Sequence, residues 1–114
     1  MQRNDTVYIL HAIDAAEKAI EISQEIFKDD LHGDDIYSLA LVRLLEIIGE
    51  AANLVSKDYK ETHPEIPWNQ MIGMRSRLIH GYFDINIDIV WDTLKTDLPP
   101  LVELLKIICY DAIE

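Results

Sequence analysis

Apolar residues recur every three or four positions over long stretches of this 114-residue chain, and no stretch alternates apolar and polar residues as a half-buried strand would. This spacing predicts amphipathic helices and an all-α fold. Residues 5–28 form the first predicted helix, which Asp5 or Thr6 can cap. The apolar stripe of this helix consists of Ile9, Ile13, Ala16, Ile20 and Phe27.

The turn-forming stretch "DDLHGDD" separates this helix from a second one at residues 35–57, with Asp34 or Asp35 as its N-cap. Its wide apolar arc is typical of a central, buried helix. A narrow polar stripe runs along the same helix at spacings of three and four, and consists of Arg43, Glu46, Glu50, Asn53 and Lys57. Two interpretations of the stripe stay open: a solvated face with local ion pairs, or a polar seam at a subunit or partner interface.

Two prolines mark the loop before the third predicted helix, because Pro64 and Pro67 both discourage helix in the residue before them. The third helix is expected at residues 68–80, with Pro67 at its first turn and Gly81 as its C-terminal cap. The stretch "FDINID" that follows is predicted to be a short connector.

The fourth helical segment covers residues 87–113. Pro99 and Pro100 must kink or split it, since a proline ring clashes with the preceding helical turn. The sequence therefore predicts a four-helix bundle whose last helix is interrupted, in a single domain that spans residues 1–114.

Charge is distributed unevenly along the chain. The formal net charge is −11, which repels nucleic acid at long range. None of the 21 acidic residues lies between Glu65 and Asp84, and this 18-residue window holds Arg75, Arg77 and His80. Because salt screens charges beyond about 8 Å, a local basic patch of this kind can still bind phosphate.

Metal and cofactor motifs are missing from the sequence. Its four histidines are widely scattered, and there is no metal-ligand spacing, glycine-rich phosphate loop or nucleophile elbow. The single Cys109 lies in an apolar run, where a buried free thiol is expected. No signal-peptide pattern or membrane-spanning stretch is recognisable, so a cytoplasmic protein without cofactor, metal or membrane partner is predicted.

The segment "MRSRLIHGY" carries side chains suited to phosphodiester chemistry. Arg75 offers a planar, permanently charged fork for phosphate oxygens, and His80 can take or give a proton near neutral pH. These groups would suffice for metal-independent RNA cleavage by the 2′-hydroxyl. On a continuous helix, however, the two side chains would point about 140° apart, from about 100° per residue. A two-fold dimer that lines one cleft with both copies would bring them together.

Structural roles for the same residues stay open. His80 could stabilise a helix C-terminus, Arg75 and Arg77 could pair with acids elsewhere, and Tyr82 could pack back on the helix. Trp68 is expected in the core or an interface rather than as a base-stacking platform.

The stretch "GMRSRLIHGYF", with "PWNQMI" before it and "DIVWDTLKTDLPPLVELL" after it, resembles the HepT-like family of HEPN-domain proteins. The family motif is Arg, four residues, His, one residue, Tyr, and Arg75, His80 and Tyr82 match its spacing. The resemblance covers essentially the whole chain. One departure is Ser76, which stands where the family usually has Asn or another strong polar group.

This resemblance implies a specific function. HepT-like proteins are commonly toxins of toxin–antitoxin pairs that act as metal-independent ribonucleases, with the Arg and His of two subunits in a shared cleft. By position, Arg75 and His80 would be catalytic, with Ser76 and Arg77 in support. The resemblance further implies a nucleotidyltransferase antitoxin of the MNT type, which neutralises the toxin by binding and by transferring AMP to the motif tyrosine, here Tyr82.

Two other interpretations are kept. The chain could be a catalytically weak or inactive helical module that binds a nucleotidyltransferase partner or a nucleotide. It could also be a dimeric scaffold with a structural Arg/His cluster.

Overall fold

Four helical rods and the short helix α3 (Lys57–Thr62) make up the structure, a computed structural model that describes residues 3–80 and 84–113. For residues 3, 80 and 111–113 it describes the backbone only. The helices are α1 (Arg3–Gln24), α2 (Ile36–Leu54), α3 (Lys57–Thr62), α4 (Trp68–Ile72), α5 (Met74–Leu78), α6 (Ile87–Asp92) and α7 (Leu98–Ile113). A 3₁₀ turn at Lys28–Asp30 follows α1, and a π-helical segment at Thr93–Asp97 joins α6 to α7. The rods are α1, α2, the α4–α5 pair and the α6–α7 pair, which confirms the all-α bundle.

Small residues contribute much of the buried face of α1. Ala12, Ala15, Ala16 and Ala19 are all buried, and the helix contacts α2 and α7. Since alanine extends little beyond the backbone, two helices can approach closely along such a face. The core opposite is built from larger side chains, which are Leu41, Leu45, Ile48, Leu94, Leu98 and Leu105.

Both ends of the first predicted helix differ from the expectation. Asp5 does not cap α1 but is buried within it, where its carboxylate accepts hydrogen bonds from the Ser56 N–H and hydroxyl, both at 2.8 Å. A long-range contact thus replaces the expected cap. The helix ends at Gln24 rather than at Lys28, so Phe27 leaves the apolar stripe and is 81% exposed.

The expected cap of α2 is confirmed. Asp35 accepts hydrogen bonds from the Ser38 N–H and hydroxyl and from the His32 N–H. Partial desolvation raises the pKa of this carboxyl, but the hydrogen bonds outweigh it and hold the pKa well below its ordinary value.

The third predicted helix is shorter than expected and broken. Its first half ends at Gly73, where the backbone moves to φ −80° and ψ 4°, and its second half ends at Leu78. The Leu78 carbonyl accepts the Asn86 N–H at 2.7 Å, and the next two residues form strand β1 (Ile79–His80). The prediction that this helix reaches His80 is therefore wrong.

A two-residue antiparallel ladder, which the sequence did not indicate, pairs β1 with β2 (Asp84–Ile85). His80 lies opposite Asp84 in this register. Gly81, the expected C-terminal cap, lies outside the described residues.

The interruption of the last rod is confirmed, and it falls just before the prolines. Pro99 has no N–H to donate to the preceding turn, and the chain passes through the π-helical segment before α7 begins at Leu98. Lys95 of this segment donates to the Ser23 carbonyl of α1 at 3.1 Å, which links the segment to α1. Its Nζ also lies 4.7 Å from the ring centre of Trp91 in α6. None of the helices in the described residues is long and apolar enough to cross a membrane.

Candidate active site

Arg75 lies in the first turn of α5, with 57% of its side chain exposed. Its Nε donates to Oε2 of Glu46 at 2.9 Å. Glu46 belongs to α2, so the contact joins two elements that are 29 residues apart in sequence. The opposite edge of the guanidinium carries the Nη groups, the donors best placed to bind a phosphate in bidentate fashion.

A close approach between α2 and α4 places this pair. A Cβ added at Gly49 would lie 2.7 Å from the Met71 carbonyl oxygen, so only glycine allows the two backbones to come so near. A shallow cavity of about 230 Å³ opens beside the contact, and its lining residues are Glu46, Gly49, Glu50, Asn53, Ile72 and Arg75.

The polar stripe of α2 divides between two roles. Arg43 and Glu50 form an exposed ion pair at 3.2 Å, as the solvated-face interpretation predicts. Glu46, between them, turns instead to Arg75 and is only 19% exposed. The stripe thus supplies one member of the candidate site, and its place in a subunit interface stays a prediction.

Arg77 does not join Arg75. Two positions along α5, it points to another part of the molecule, where its Nη2 donates to the Gln70 carbonyl at the end of α4 at 3.2 Å. It borders a separate, largely apolar cavity of about 190 Å³ next to Pro100 and Leu101. Ser76, between the two arginines, is exposed.

The structure gives His80 a backbone position in β1, and its side chain is outside what is described. Tyr82 lies outside the described residues. Because the chain leaves the helix at Ile79 (φ −125°, ψ 125°), the 140° separation expected for Arg75 and His80 on one helix does not apply.

The structure places a carboxylate next to Arg75, although the sequence around Arg75 contains no acidic residue. The window 66–83 holds no acid, yet the fold brings Glu46 to Arg75 from α2. Sequence reasoning identified Glu46 only as a member of the stripe. A periodic polar stripe on an otherwise apolar helix was the signal available, but nothing in the sequence indicated which member would contact Arg75. Within the described residues, no three His, Cys, Asp or Glu side chains are grouped as metal ligands would be.

Two other singled-out residues are structural. Trp68 is buried, and its Nε1 donates to the His63 carbonyl at 2.9 Å, so it belongs to the core. Cys109 is a buried free thiol, as expected, and burial raises its pKa.

Comparison with known proteins gives a consistent result. The family model described as "Ribonuclease HepT-like" matches residues 9–108. "Probable ribonuclease HepT" of Thermococcus cleftensis is 41% identical over 101 residues, which cover 89% of this chain and 92% of that protein. "Putative RNase TTE0752" of Caldanaerobacter subterraneus is 39% identical, covering 87% of this chain and 88% of that protein. "Putative RNase MJ1380" of Methanocaldococcus jannaschii is 31% identical, covering 94% and 98%. No solved structure gives a significant match.

Proposed function

The chain belongs to the HepT-like ribonuclease family, and on that basis we propose that it is a metal-independent endoribonuclease. The observation that carries the proposal is the family match over residues 9–108, which includes Arg75 and His80. The exposed guanidinium of Arg75, held by one edge, supports it.

The reaction needs a base, an acid and a cation at the scissile phosphate. The base removes the proton of the 2′-hydroxyl, and the 2′ oxygen attacks the adjacent phosphorus. The bond to the 5′ oxygen breaks, and the acid protonates that leaving oxygen. The products are a 2′,3′-cyclic phosphate and a 5′-hydroxyl. Arg75 binds the phosphate and stabilises its growing charge, while His80 serves as acid or base.

A homodimer supplies both proton-transfer groups. One chain carries one motif histidine, so two copies facing one cleft provide an acid and a base for the same phosphate. Ser76 can donate or accept one hydrogen bond beside Arg75, with less reach than the amide usual in the family. Arg77 donates to the Gln70 carbonyl, away from Arg75, and it is the weaker candidate for an RNA contact.

We further propose that the protein is the toxin of a toxin–antitoxin pair with an MNT-type nucleotidyltransferase as antitoxin. Transfer of AMP to the Tyr82 hydroxyl would add a negative charge and considerable bulk two residues from His80. An RNA phosphate would then be repelled and obstructed at the site. The large negative net charge outside the motif favours a basic surface on that partner.

Two observations favour the alternative of a catalytically weak binding module. Arg75 already pairs with a carboxylate, and Ser76 replaces the stronger polar group. In that case Arg75 and Arg77 would hold a nucleotide or an acidic patch of the nucleotidyltransferase partner, and His80→Ala would weaken the complex little.

The test is cleavage of total cellular RNA by the purified, unmodified protein in excess EDTA. We expect cleavage with 2′,3′-cyclic phosphate ends, and loss by a factor of about 10²–10⁴ in His80→Ala, the range for a general acid or base. A folded protein that leaves RNA intact would favour the binding module. Cleavage that survives in His80→Ala at the same rate would point to a contaminating nuclease.

A further inference from the structure

We propose that Glu46 is a positioning residue for Arg75: its carboxylate holds the Nε edge of the guanidinium so that the Nη edge faces the RNA phosphate. This inference rests on the proposed ribonuclease function. It assigns to α2 a part in a site whose motif lies entirely on later elements.

The geometry suits such a role. The Nε to Oε2 distance of 2.9 Å is that of a charge-assisted hydrogen bond. Among the residues that the structure describes, Glu46 is the one hydrogen-bond partner of the Arg75 guanidinium. A guanidinium has five N–H donors, so a single bond at Nε leaves the four Nη donors for a ligand.

Glu46 and Arg75 differ in the length of the helix that carries them and in their exposure, as expected for a fixed supporting residue and a residue that binds a ligand. Glu46 stands on the 19-residue helix α2 and is 19% exposed, whereas Arg75 stands on the five-residue helix α5 and is 57% exposed. A long exposed arginine loses considerable rotamer freedom when it binds a ligand. A fixed carboxylate removes much of that freedom before RNA arrives.

An opposite role must be weighed, because a carboxylate near Arg75 also repels phosphate. The phosphate would sit at the far edge of the guanidinium, with the cation between the two anions, and salt screens charges beyond about 8 Å. A positioning role requires that the benefit of a placed Nη fork exceeds this repulsion. The two roles predict opposite signs: removal of Glu46 lowers activity if it positions Arg75 and raises activity if it competes with RNA.

The experiment compares Glu46→Ala and Glu46→Gln with the matched control Glu17→Ala. Glu17 of α1 pairs with Lys106 of α7 at 3.1 Å and does not line the cavity beside Arg75, so its removal changes the net charge equally without touching Arg75. We expect Glu46→Ala to lower kcat by about 10- to 100-fold, as for a displaced catalytic group. Glu46→Gln, which keeps an acceptor, should retain more activity, and Glu17→Ala should stay within about twofold of wild type. Circular dichroism confirms that each variant is folded.

A binding cycle separates this inference from the proposed function. Binding of 2′-O-methyl RNA, which cannot be cleaved by the 2′-hydroxyl route, is measured for wild type, Glu46→Ala, Arg75→Ala and the double variant. We expect Glu46→Ala to weaken RNA binding about 2- to 10-fold when Arg75 is present, and to have no effect on binding in the Arg75→Ala background. Equal effects in both backgrounds, or higher activity in Glu46→Ala, would overturn the positioning role. A wild-type protein that binds RNA but does not cleave it would refute the ribonuclease function, and the cycle would still decide the role of Glu46.

Discussion

Gly49→Ala should destabilise the protein, although alanine is the better helix former. Gly49 lies inside α2, where the exchange alone is worth about 0.8–1.0 kcal/mol in favour of the variant. The new Cβ, however, would lie 2.7 Å from the Met71 carbonyl oxygen. This oxygen belongs to the backbone of α4, whose Met71 side chain is buried in the core, so no flexible side chain can move aside.

The two contributions have opposite signs, and the second is larger. An ordinary contact of this type is at least 3.4 Å, so α4 must move by about 0.7 Å. Overpacking of this kind costs typically about 1–3 kcal/mol. Since a backbone must shift, we take the upper half of that range, about 2–3 kcal/mol. After subtraction of the gain in helix propensity, we expect the free energy of unfolding to fall by about 1–2 kcal/mol. At about 4 °C per kcal/mol for a domain of this size, Tm should fall by about 4–8 °C.

Thermal and urea unfolding, followed by circular dichroism, measure this change. Gly73→Ala is the matched control, because its new Cβ would meet the Asn69 carbonyl oxygen at 3.2 Å, where a shift of a few tenths of an ångström suffices. Movement of α4 also carries α5 and Arg75, so RNA cleavage by Gly49→Ala should fall more than the loss of folded protein explains. A higher Tm for Gly49→Ala than for wild type would refute the close approach of α2 and α4.

Three further predictions concern residues away from the site. Asp5→Ala leaves the Ser56 N–H and hydroxyl without their buried acceptor, so urea unfolding should show a loss of about 2–3 kcal/mol; an unchanged midpoint would contradict this contact. Asp35→Ala should cost about 1 kcal/mol at pH 7. Because folding lowers the pKa of Asp35, the ionised carboxylate stabilises the folded protein fully above its unfolded-state pKa near 4, and this stabilisation is lost as the pH falls further. The free energies of unfolding of wild type and Asp35→Ala should therefore converge in acid. A constant difference between them down to about pH 2 would argue against an ionised cap. The Cys109 thiol is buried, and burial raises its pKa, so it should react with a thiol reagent at least about tenfold faster in the urea-unfolded protein than in the native one. Equal rates would mean that the thiol is accessible in the folded protein.

Local patterns were sufficient to predict much of this fold. Helical periodicity placed the rods, the acidic cap of α2 was recognisable before its apolar run, and the paired prolines indicated the break in the last rod. Each of these features depends on residues within one or two helical turns of one another. The same proximity explains why the loop containing Pro64 and Pro67 was recognised.

Other features depend on contacts that are distant in sequence, and these were missed. The end of α5 at Leu78 depends on a hydrogen bond from Asn86, and the burial of Asp5 depends on Ser56. No local pattern near Arg75 reveals that Glu46 lies 2.9 Å away. The acid-free window was a correct observation about the sequence, but the fold supplies the missing carboxylate from another helix.

We propose that this chain cleaves RNA with the 2′-hydroxyl as nucleophile and with Arg75 at the phosphate. The most direct test is to incubate the protein in excess EDTA with a random RNA pool and with the same pool methylated at every 2′ oxygen. We predict that the unmodified pool is cut, that the methylated pool stays intact, and that Arg75→Ala loses the cleavage. Cleavage of both pools at similar rates, or of neither by the folded protein, would contradict attack by the 2′-hydroxyl.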